Sequence, residues 1–495
     1  MICPSQPSLI PSAPASIPAE AEASCVNSDD SDGPSRGACL VDELGPSRAT
    51  PAPRTPRPSP AATDPVEGNS AYSGTFWSAY IANTLVAVAI ALLYRYADFV
   101  TILGGSEWHL GWIVGVGMVG SFTMRMALGV GIDRRGPRII WLGSTVVFIL
   151  ACFAHLGIQR YDTPWIYLLR IAFCSAVAGF YGASTAFVAV GAPLLRVAEL
   201  VGMLGTSGFL GMVVGAQLGD FLCGTDQVQR WQVDQMFVVA GLLACAAIGF
   251  ICFATRGEAP RARRRMPPLI GLLRRYTPVN LLLIGVASGI GLGLPQAFLR
   301  TYVADLDIDR IGLFFGVYAP AAIVTRVLTR RWFARFGLEP IIILGTVGQI
   351  LSVLLFLTVR SQWHLVIPGL TYGISHALLF PSVVAAGSRS FPNRYRGLAT
   401  TLVLASWDFG LLIGSPTAGM VLHYSEALGL PPYPTMFLTI AVMMAVLTAY
   451  YALTCRQAQP APLLQTQPPA PHHLPSTVRW RRDVQAAEAR KTLLP

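Results

Sequence analysis

The chain has 495 residues, of which 53% are apolar and only 13% charged, and its formal net charge is +10. Water is a poor solvent for that mixture, so a string of ordinary soluble domains is excluded. A nucleic-acid binder is excluded as well, because the arginines fall in short gaps between apolar segments rather than along one solvated face.

Residues 1–73 are dominated by Pro, Ser and Ala. Such a stretch cannot bury enough apolar surface to offset its ordering entropy, so it reads as a disordered cytoplasmic tail. It has no basic start followed by an apolar core and a small-residue cleavage site, the pattern of a signal peptide. Twelve apolar segments follow, at 76–98, 109–131, 139–158, 164–190, 199–222, 235–254, 278–299, 311–330, 340–359, 364–387, 398–421 and 433–454. Each has about the 20 residues that a helix needs to cross the ~30 Å hydrocarbon layer. The fold expected is therefore an all-α membrane protein of twelve transmembrane helices. Short connections make neighbours antiparallel, and the longer basic gap at 256–277 divides the set into halves at 74–255 and 278–455, followed by a second cytoplasmic tail at 456–495.

Loops after the even-numbered segments hold 17 arginines and loops after the odd-numbered ones only five, Arg160, Arg230, Arg300, Arg310 and Arg360. Positive charge collects on the cytoplasmic side, so both termini are expected there. Nine cysteines form no CxxC pair, and Cys152, Cys174, Cys223, Cys245 and Cys252 sit in or beside apolar runs as small hydrophobes. No metal site, cofactor site or catalytic signature is expected, and the lack of a phosphate-cradling GxxxxGK[ST] argues against an ATP-driven pump.

The halves repeat one another. Segment two ends in R-x3-G-x3-D-R-x-G, formed by Arg125, Gly129, Asp133, Arg134 and Gly136; segment eight ends with Arg326, Arg330, Ala334, Arg335 and Gly337 at a constant offset of 201. Gly211 and Gly215 in segment five match Gly410 and Gly414 in segment eleven at an offset of 199. Repeated halves are how many secondary transporters build a central site that opens to either side.

At these residues the chain resembles the major facilitator superfamily, over about residues 74–455. The run from Gly129 to Arg138 is similar to that family's motif A. The resemblance implies two pseudo-symmetric six-helix bundles, latched in the outward-facing state by Gly129, Asp133, Arg134, Gly136 and Arg138; the second copy lacks the acid, which Ala334 replaces. Arg170 resembles the motif B arginine, linked in the family to proton coupling, although Cys174, Ala176 and Ala178 stand where small glycines usually follow. Gly211, Gly215 and Gly219 resemble the antiporter motif C of the drug/proton antiporter-like branch, with Ala216 in place of its proline and Asp220 in place of its last glycine.

A charge in hydrocarbon costs about 2.5–3.5 kcal/mol on insertion scales, so each one is a functional candidate. Asp408, ten residues into segment eleven, could carry a proton or be held by a neighbour's hydroxyl or arginine. His376 suits a proton relay or a structural hydrogen bond. Asn83, Gln296, Gln349 and Trp407 either line a cavity or join helices. The function expected is a secondary transporter of a small organic solute, proton-coupled and exporting, monomeric in a plasma or inner membrane, with the bilayer, the solute and a coupling ion as partners and no nucleic acid. Uptake by symport or facilitated diffusion, and a non-transporting membrane receptor, are the alternatives.

Overall fold

In the computed structural model, the residues described are 72–192, 196–224, 228–257, 277–308, 310–329, 332–391 and 396–457. The basic linker and both tails expected from the sequence fall largely or wholly outside them. Among the described residues there is no strand. Twelve helical spans are long and apolar enough to cross a membrane: α1 Gly74–Ile102, α2 Glu107–Leu128, α3 Arg135–His155, α4 Pro164–Gly191, α5 Glu199–Cys223, α6 Arg230–Ala254, α7 Val279–Asp305, α8 Gly312–Thr329, α9 Leu338–Thr358, α10 Gln362–Arg389, α11 Leu398–Ala427 and α12 Pro432–Thr454. The side chains they leave outward are apolar, including Phe221, Leu328, Leu150 and Leu453. Such a surface is stable only against lipid, where each helix satisfies its own backbone.

Every segment expected from hydropathy is present, and the differences lie at the ends. α1 runs four residues past the sequence boundary, because Arg95 and Asp98, the charges in the last turn of the apolar run, are neutralised inside the protein rather than placed in water. It tightens to a 3-10 turn at Leu93–Arg95, whereas α7 widens to a π turn at Leu294–Phe298, around Pro295.

The internal repeat recurs in the backbone. Gly136, which breaks the continuous helix joining α2 to α3, has φ 78° and ψ 159°, and Gly337, which caps α9, has φ 80° and ψ 176°. That region of φ/ψ space is open to glycine almost alone, so Gly136→Ala should cost about 1–3 kcal/mol, read from chemical unfolding in detergent, and Gly337→Ala a similar amount. The second repeat brings helices into close approach. A Cβ on Gly211 would stand 2.7 Å from the Val88 nitrogen of α1, and one on Gly414 would stand 2.9 Å from Cα of Ile290 in α7. Thus α5 lies on α1 as α11 lies on α7, and across the halves α2 packs along α11 while α5 meets α8.

Candidate functional site

Two charged clusters join the halves at different depths. The first centres on Asp408 of α11, which is only 6% exposed. Its Oδ2 accepts from Ser121 Oγ at 2.7 Å and from Arg125 Nε at 2.5 Å, and its Oδ1 accepts from Arg125 Nη2 at 3.5 Å. Ser121 and Arg125 both belong to α2, one helical turn apart, so one face of α2 presents a hydroxyl and a guanidinium to the same carboxylate. Helical side chains lean toward their helix's N-terminus, which aims Arg125 back into the bundle from near the end of its span. Gly111 and Gly115 of α2 sit against Ser415, Pro416 and Gly419 of α11, so small residues hold the two helices at the separation this pair requires.

The second cluster lies at the opposite end of the bundle from the α2–α3 connection. Arg95 of α1, 1% exposed, donates to Asp98 Oδ2 at 2.7 Å and to Asp220 Oδ1 of α5 at 3.2 Å. From the other half, Arg300 of α7 reaches Asp98 Oδ1 at 3.0 Å, and the backbone N–H of Gly312, the first residue of α8, donates to Asp220 Oδ2 at 2.7 Å. Two arginines and two aspartates thus cancel in charge, and a carboxylate at the start of α8 also meets the positive end of its dipole. Beside this cluster a cleft of about 530 Å³ is lined by residues that include Asp98, Glu107, Trp108, Arg300, His423 and Tyr433.

The remaining residues singled out from sequence are dispersed. Arg170 of α4 lies with its guanidinium 4.3 Å from the Tyr96 ring centre and 5.1 Å from that of Phe173, and its buried Nε has no partner. The ion pair described for Asp408 is therefore to Arg125, not to Arg170. His376 of α10 hydrogen-bonds the Tyr318 hydroxyl of α8 through Nδ1, and its ring lies 6.2 Å from that of Trp407, the residue before Asp408. Trp407 lies against Phe380 with ring centres 4.7 Å apart and planes tilted by 30°, and its Nε1 has no partner. Asn83 is buried in α1 with its Oδ1 unpartnered, and Gln296 is half-buried in the π turn of α7. Gln349 joins helices, donating to the Ser288 carbonyl at 3.2 Å and to the Tyr372 hydroxyl at 2.7 Å. Gly129, Asp133 and Arg134 are helical in backbone, but the Asp133 and Arg134 side chains lie outside the described ones; Arg138 is exposed. Gly219 continues the α1 contact of Gly211 and Gly215, toward Leu92 and Arg95.

Sequence reasoning missed Arg95, Asp98 and Arg300 as a unit and treated Asp220 only as a departure from a glycine. The signal was available at Arg95, a charge inside an apolar run, to which the cost argument used for Asp408 applies equally.

Twelve lipid-facing helices in two related halves, with charges exchanged between the halves, define a membrane transporter. The Major Facilitator Superfamily profile matches residues 73–309 and 281–486, and the chain belongs to that family. It is 23% identical over 395 residues to an MFS-type transporter of Aspergillus fumigatus, covering 75% of this chain and 89% of that one. It is similar to Protein ZINC INDUCED FACILITATOR-LIKE 1 of Arabidopsis thaliana, 27% identical over 148 residues, and to Multidrug resistance protein 2 of Bacillus subtilis, 25% identical over 165. Those matches cover 28% and 33% of this chain and span only 30% of the plant protein and 40% of the bacterial one. The fold is similar to that of a point mutant of the nucleoside transporter NupG, with a TM-score of 0.64 at 13% identity over 77% of this chain and 99% of that one. It is also similar to that of a D-xylose-proton symporter, with a TM-score of 0.62 at 16% identity over 76% and 96%.

Proposed function

We propose that the protein is a proton-coupled carrier that exports a small organic solute by rocking residues 74–255 against residues 278–455, with 256–277 as the tether. The observation that carries this reading is the buried contact of Asp408 with Arg125 and Ser121 across the halves. A proton and a guanidinium compete for the same carboxylate oxygens. Protonation of Asp408 removes the charge that holds Arg125, which loosens α2 from α11; return of Arg125 drives the proton off. A bond that must break for the halves to part is thereby tied to proton occupancy.

The arginine distribution supports cytoplasmic termini in a plasma or inner membrane. With that orientation, the Arg95, Asp98, Asp220, Arg300 and Gly312 cluster closes the outer face. The motif C-like glycines of α5 and the likeness to Multidrug resistance protein 2 support export as the direction. The monomer contains both halves and is the transporting unit.

The test is counterflow of labelled carboxylates, sugars, nucleosides and cationic dyes in liposomes containing the purified full chain, with and without an imposed pH gradient. At least one solute class should accumulate against its own gradient only while the pH difference lasts. Equal fluxes under both conditions for every transported solute would overturn proton coupling.

A further inference from the structure

The repeat gives the Arg125–Asp408 contact a counterpart. Arg326 of α8 stands 201 residues after Arg125, and Phe209 of α5 stands 199 residues before Asp408, the two offsets by which the halves align. The structure joins both pairs across the halves. Arg125 meets the Asp408 carboxylate, and the Arg326 guanidinium lies over the Phe209 ring, 4.7 Å from its centre. One contact is an ion pair; its mate is a cation on an aromatic face.

Arg326 therefore lacks what Arg125 has. Its second neighbour is another ring, Phe380, at 5.6 Å. Among the described residues it makes no ion pair, and its Nε is sealed from solvent with no acceptor. A guanidinium carries five N–H donors, and an aromatic face supplies no lone pair to any of them. The side chain leans toward Gly312, the N-terminus of α8, and so into the bundle rather than out to its near end. Around it, Phe209, Tyr318, His376, Phe380 and Trp407 come from α5, α8, α10 and α11, with ring pairs 4.7–6.3 Å apart. Trp407 Nε1–H is a second buried donor without a partner. Two orphaned donors framed by rings from both halves match a ligand with one anionic head and an apolar body.

We propose that Arg326 anchors the substrate and that the substrate is an organic anion, a carboxylate on an aromatic or similarly apolar body, whose oxygens complete on Arg326 the pair that Asp408 completes on Arg125. This rests on the carrier reading above and names the chemistry of its cargo. A single guanidinium balances one negative charge, which favours a monocarboxylate over a phosphate dianion. The rings from α5 face those from α8, α10 and α11, so the bound solute touches both halves and is released when they part.

The experiment is thermal unfolding of the full chain in detergent at one fixed pH, titrated with 4-phenylbutyrate and, separately, with its neutral amide. The acid should raise the melting temperature saturably and the amide should not. Arg326→Gln should weaken binding of the acid about tenfold or more, as loss of a charge-assisted pair implies. Phe209→Asp supplies Arg326 with an internal carboxylate at the position Asp408 occupies in the other pair; that chain should fold and lose its response to the acid. Equal stabilisation by acid and amide, or unchanged affinity in a folded Phe209→Asp chain, would overturn the assignment. No gradient is present, so binding is independent of proton coupling. Proton-driven flux of only neutral or cationic solutes would sink this inference alone, and Arg326-dependent binding without any coupled flux would sink the coupling alone.

Discussion

Asp408→Asn should abolish accumulation driven by a pH gradient, reducing it to that of liposomes without protein, while solute exchange without a gradient persists. Asparagine keeps an acceptor oxygen for Ser121 and Arg125 but cannot bind and release a proton, so the coupling event is removed while the geometry is largely kept. The change also leaves Arg125 without a counter-charge in a buried setting, and breaking such a pair from one side typically costs about 3–5 kcal/mol. Stability and coupling can be separated with a second chain. Arg125→Gln combined with Asp408→Asn removes both charges and should recover most of the lost stability in chemical unfolding, yet remain uncoupled. Gradient-driven accumulation that survives in Asp408→Asn would rule out this residue as the proton carrier.

Arg95→Leu should be the most destabilising single substitution at the other end of the bundle. Arg95 is almost completely buried and bridges Asp98 to Asp220. Without it Asp98 retains only Arg300, and Asp220 retains only the Gly312 N–H among the contacts of this cluster. About 3–5 kcal/mol should be lost, as for other buried pairs broken from one side. Asp220→Asn should cost less, because an amide oxygen can still accept from Gly312, and the loss should be about 1–3 kcal/mol. Chemical unfolding that places Arg95→Leu within about 0.5 kcal/mol of the parent chain would show the network to be dispensable.

The twelve spans were legible because their signal is local: about 20 apolar residues, repeated, with arginine on one side. The repeat was legible because glycine at Gly136 and Gly337, and at Gly211 and Gly410, answers a backbone demand that recurs in each half. Partnership was not legible. Asp408 stands out as a charge in an apolar run, but its ligand Arg125 lies 283 residues away and was visible only as one letter of a repeated pattern. Asp220 and Gly312 are 92 residues apart, and a backbone N–H leaves no trace in a sequence. Arg326 was likewise counted as a repeat position. Its missing counter-charge emerged only when the structure set Phe209 in the place that Asp408 holds across from Arg125.

Of the four charged side chains in the bridge at this end, Arg300 alone comes from the second half. The first half contributes one arginine, Arg95, against two aspartates, Asp98 and Asp220, and so carries an excess negative charge in a buried setting, while the second half brings an unmatched cation to the same place. Neither half is electrically complete there without the other, so separating them at this end exposes a net charge on each that only water can take up.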